Sequence, residues 1–66
     1  MDTPPITVHP PGPGGGRRVT IRGTDVGRAH RIADLVEFLR RAGLDDIEVE
    51  ETDLIQWVGG DADTWS

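Results

Sequence analysis

The clearest pattern in the chain is an apolar stripe that recurs at helical spacing between His30 and Gly43. With Ile32 at zero and a turn of about 100° per residue, Ala29, Ile32, Leu35, Val36, Leu39 and Ala42 fall on one side of a helix, and Arg31, Asp34, Glu37 and Arg41 fall on the other. Glu37 stands four residues before Arg41, the favourable order for a surface pair. Gly43 supplies a left-handed stop, and Leu44 can fold back onto the last turn. At the other end Thr24, Asp25 and the break at Gly27 compete to begin the helix.

Two other stretches alternate with period two. In R-R-V-T-I-R-G, Val19 and Ile21 point one way and Arg18, Thr20 and Arg22 the other, which predicts a strand stopped by Gly23. In I-E-V-E-E, Ile47 and Val49 alternate with Glu48 and Glu50, a second strand with carboxylates outward. Leu54 to Val58 reads as a third strand, after Thr52-Asp53 and before the terminator Gly59-Gly60. Gly23 to Arg28 reads as a turn between strand and helix. If the first two strands are neighbours, Arg18 and Arg22 share a face with Glu48 and Glu50, and a crossover through the helix makes them parallel.

The fold expected is therefore α+β: a single β-α-β-β domain over 17–60, with one amphipathic helix on a two- or three-stranded sheet. Residues 1–16 hold all five prolines and end in P-G-P-G-G-G, the composition of an extended, disordered arm, and 61–66 is a polar tail. Ile6 to Val8 is a short β-prone island in that arm, able to dock as an edge strand. A folded part of about 50 residues has a small core, and with no cysteine it has no disulfide to reinforce it.

Charge changes the picture most. Arg17 to Arg41 carries seven arginines against three acids, whereas Ala42 to Ser66 carries eight acids and no base, within a chain of net charge −5. Such a two-ended chain either neutralises itself or offers an acidic face to a basic partner. Trp57 is expected to fill the core. Trp65 either caps that core or stands out as an aromatic anchor.

Catalytic chemistry has little to stand on. The only Ser is Ser66, Cys and Tyr are absent, and His9 and His30 are far apart in sequence. The acids of 45–53 lack the D-x-[DN]-x-[DN]-G loop framework of a calcium site, and neither glycine cluster has nucleotide-cradle spacing. No cofactor, metal or catalytic residue is assigned, and the chain reads as a non-enzyme. No apolar run reaches the roughly 20 residues of a membrane span and no signal peptide is evident, so a cytoplasmic protein without membrane contact is expected.

Taken together, I-T-V-H-P-P, R-R-V-T-I-R-G, D-L-V-E-F-L-R-R-A-G-L and I-Q-W-V-G-G followed by T-W resemble a family of small uncharacterised proteins of GC-rich actinobacteria. The resemblance covers most of the chain and implies one unit without internal repeats; it brings no activity and no site.

The function expected is a protein-interaction or regulatory accessory module that presents Glu48, Glu50, Glu51 and Asp53 with Trp57 and Trp65 to a basic protein surface, or to a second copy as a homodimer. The alternative is a ribbon-type nucleic-acid binder using Arg17, Arg18 and Arg22. It is opposed by the −8 of the C-terminal segment, which repels phosphate.

Overall fold

The computed structural model describes residues 4–44, 47–49 and 52–65. The elements run β1 (Ile6–Pro11), β2 (Arg17–Ile21), β3 (Thr24–Ala29), α1 (Ile32–Arg41) and β4 (Ile55–Trp57). They form one four-stranded sheet, ordered β3-β2-β1-β4, with one helix: a small α+β unit.

The alternation in β2 is realised with its apolar side inward. Val19 and Ile21 are buried together with Ile6 and Val8 of β1, Ala29 of β3, Ile55 of β4, and Leu35 and Leu39 of the helix. Ile32 and Phe38 pack onto this cluster half-buried. The helix stops as its sequence predicts: Gly43 has φ 81° and donates to Arg40 O at 3.0 Å, while Leu44 donates to Leu39 O at 2.8 Å. Those two bonds are the Schellman pair, which satisfies carbonyls the helix leaves open.

Three expectations are corrected. The proline-bearing arm is not a loose tail over Ile6–Pro11, which forms β1 and lies inside the sheet. It is antiparallel to β2, with Ile6 opposite Ile21 and Val8 opposite Val19, and parallel to β4, with Ile6 opposite Ile55 and Val8 opposite Trp57. Its prolines fall at the strand's end, where the register slips between Val8 and Pro11, so the missing N–H groups cost no regular ladder bond.

Second, Thr24–Arg28 is not a turn or a helix start but most of β3. Arg22 and Gly23, with φ 52° and 83°, form a two-residue hairpin loop between Ile21 and Thr24. The helix therefore begins later, with Arg31 at its N-cap.

Third, Ile47–Val49 is not a strand. Both apolar side chains pack half-buried against the core without a ladder, and Glu50 and Glu51 lie outside the described residues. The neighbours of β2 are β1 and β3, so the expected pairing of Arg18 and Arg22 with a strand bearing Glu48 does not arise.

Both sheet edges are guarded. β4 is three residues long, and β3 carries an extra residue, Val26, where its register against β2 shifts. Short and bulged edge strands are poor templates for another chain. Among the described residues no helix is long and apolar enough to cross a membrane.

Candidate interaction surface

Arg17 has the same parity along β2 as Val19 and Ile21, so alternation places it on the inner face, and its relative exposure is 0%. A buried guanidinium needs acceptors for five N–H groups. Nε donates to His9 O at 2.8 Å; Nη1 donates to Asp61 O and Thr64 O, both at 2.8 Å. Nη2 donates to Val58 O at 2.7 Å, with longer contacts to Gly60 O and Val8 O. Every acceptor is a backbone carbonyl, and four belong to the segment after β4.

The two tryptophans complete the enclosure. The guanidinium carbon lies 5.5 Å from the Trp57 ring centre and 5.7 Å from that of Trp65, within cation–π range of both. The rings meet edge to face at 6.1 Å, and Trp65 Nε1 donates to Ala62 O. Burial pushes the guanidinium below its ordinary pKa, and Asp61 opposes that shift. Trp65 therefore folds back, and neither tryptophan is a free-standing anchor. No protein-family model, curated protein or solved structure matches this chain.

The consequence for the tail is geometric. By holding the carbonyls of Val58, Gly60, Asp61 and Thr64, Arg17 fixes a path on which Asp61 and Asp63 stay exposed. Asp61 also accepts from Asp63 N–H and from the Thr64 hydroxyl, which tightens the same turn.

The remaining site residues separate into groups. Glu48 and Asp53 are exposed, and Leu54 beside Asp53 is the large apolar side chain left exposed among the described residues, at 43%. Glu50 and Glu51 lie outside the described residues. Trp57 and Trp65 are brought together, around the Arg17 cation.

Sequence reasoning missed Arg17 as the centre of this arrangement and placed it among phosphate-binding arginines. Its parity with Val19 and Ile21 was the available signal. Burial removes it from any external ligand, and β2 lies between β1 and β3, so it has no free edge with which to build a ribbon across two subunits.

Proposed function

We propose that this protein is a non-catalytic interaction module whose working surface is the acidic C-terminal segment, 42–66, directed at a basic protein surface. The observation that carries this reading is the state of its carboxylates. Glu48, Asp53, Asp61 and Asp63 are all exposed, and none forms an ion pair among the described residues. The ion pairs found join Arg31, Arg40 and Arg41 to Asp34 and Glu37 on the helix. Among the described residues the fold thus leaves these four carboxylates without an ion pair, while Arg17 and the tryptophans hold the tail that bears two of them. Leu54 adds an apolar contact within the same segment. Organised, unpaired charge steers a complementary partner and sets its register.

The test is capture from native host lysate at low salt, with a Glu48→Lys, Glu50→Lys, Glu51→Lys, Asp53→Lys variant in parallel, followed by titration of the purified partner. A basic protein retained by the wild type and lost by the variant, with affinity falling steeply as salt rises, is expected. Binding indifferent to both salt and charge reversal overturns the reading.

A further inference from the structure

The face of the sheet opposite the helix carries charge of the other sign. Arg18 of β2 stands directly across from Arg28 of β3, and both are exposed. Like charges at directly opposed positions destabilise an antiparallel pair. Neither arginine has an acidic partner among the described residues; Arg28 makes only a long contact, 3.5 Å, to Gly16 O. The turn at the end of this hairpin adds Arg22, also exposed, with φ 52° at a position that favours Gly or Asn. A third guanidinium thus sits where the backbone would favour another residue.

The rest of this face is polar. Thr7 pairs with Thr20 and Gln56, His9 Nε2 lies 3.0 Å from Thr20 Oγ1, and Asp25 opposite Thr20 accepts from Gly27 N–H. Among the described residues, three arginines thus share this side with one carboxylate, whose Oδ1 is turned to the Gly27 N–H.

We propose that the Arg18–Arg28 face docks the acidic 42–66 segment of a second copy of this chain; this rests on the reading of that segment as the working surface. The two surfaces are complementary in charge, Arg18 and Arg28 on one and Glu48 and Asp53 on the other are exposed, and no ion pair joins them within one chain among the described residues. A chain that keeps such charges apart can neutralise both by pairing with another copy. Phosphate backbones are a poorer occupant, because the net charge of −5 repels them and the aromatic ring on this face among the described residues, His9, is held by Thr20. The guarded edges of β3 and β4 leave the faces as the surfaces of contact. Contact pairs of this kind survive a Debye length of about 8 Å at physiological salt and are lost at about 3 Å in 1 M salt.

The test is sedimentation velocity up to several hundred micromolar, in 0.15 M and 1 M NaCl, on the wild type, on R18E/R28E and on E48K/D53K. All changed residues are exposed, and unaltered tryptophan emission and urea midpoint establish folding. R18Q/R28Q replaces the first variant if reversal disturbs the fold. The wild type is expected to self-associate at 0.15 M and to dissociate at 1 M. Each variant alone should raise the self-dissociation constant by about tenfold or more, and mixing the two should restore association, because each reversed surface then meets its complement. A monomeric wild type overturns the inference, as does association that survives 1 M salt or either reversal. If that monomer still captures a basic protein through the acidic segment, the docking inference fails and the interaction reading stands. Binding of a labelled DNA duplex by the monomer, lost in R18E/R28E, would assign the face to nucleic acid and also overturn it.

Discussion

The Arg17 guanidinium carbon lies 5.5 Å from the centre of the Trp57 ring, with the Trp65 ring on it as well, so a buried cation joins the second strand to the chain's last residues. No carboxylate forms a salt bridge with it among the described residues. Its compensation comes from carbonyl dipoles and ring faces, with the Asp61 charge adding to them, and the first two depend on the planar, forked shape of arginine.

That geometry predicts an asymmetry between substitutions. Arg17→Met keeps the stem but takes the guanidinium donors from the carbonyls of His9, Val58, Asp61 and Thr64, a loss of about 3–5 kcal/mol, comparable with the whole stability of so small a core. Arg17→Lys keeps the charge without the fork and should lose about 2 kcal/mol. Arg18→Met on the exposed face should stay within about 0.5 kcal/mol of wild type. Urea titration followed by tryptophan emission reads all three, and equal effects at positions 17 and 18 would refute the assignment.

Gly27 is required twice over. Its φ is 140°, and a Cβ there would meet the Phe38 ring at 2.8 Å. Gly27→Ala should therefore destabilise by about 2 kcal/mol or more, through backbone strain together with overpacking. In a double-mutant cycle with Phe38→Ala, the recovered part measures the steric share, and the remainder is the strain of the positive φ.

The helix start can be improved. Arg31 at the N-cap makes no side-chain cap bond, while Asp34 reaches back to accept from His30 N–H at 2.9 Å. Arg31→Ser supplies the missing acceptor and should add about 1 kcal/mol. The exposed Arg31–Asp34 contact it removes, at 4.0 Å, is worth little. A higher urea midpoint with unchanged slope is the expected result.

Arg22 should show stability and association moving in opposite directions. Arg22→Gly relieves the left-handed φ of 52° and should stabilise the fold by about 0.5–1 kcal/mol. The same change removes one of three guanidiniums from the face proposed to dock a second copy, so self-association should weaken while the melting temperature rises. Thermal denaturation and sedimentation on one preparation check both.

The sequence alone determined the features whose partners are near in the chain. Helical bonds span four residues, so the apolar stripe, the stop at Gly43 and the return of Leu44 were legible without any tertiary information. The phase of β2 and the charge division between 17–41 and 42–66 were legible for the same reason. Phe38 and Val36 exchanged importance, because the helix meets β3 at Gly27 and draws Phe38 inward.

Only the tertiary structure decided the strands, since a ladder's partners are remote. Ile6–Val8 reads as part of a proline-rich arm until residues 19–21 and 55–57 come to lie on either side of it. Ile47–Val49 alternates as well as β2 does but forms no strand, and its apolar side chains pack half-buried on the core without one. Thr24–Ala29 has the residues of a loop and becomes β3 because the Arg22-Gly23 turn folds it onto β2. Arg17 shows the same limit most sharply: its inward phase was present in the alternation, but a buried arginine is stable only where carbonyls and aromatic rings converge, and both rings and four of the carbonyls come from residues forty or more positions away.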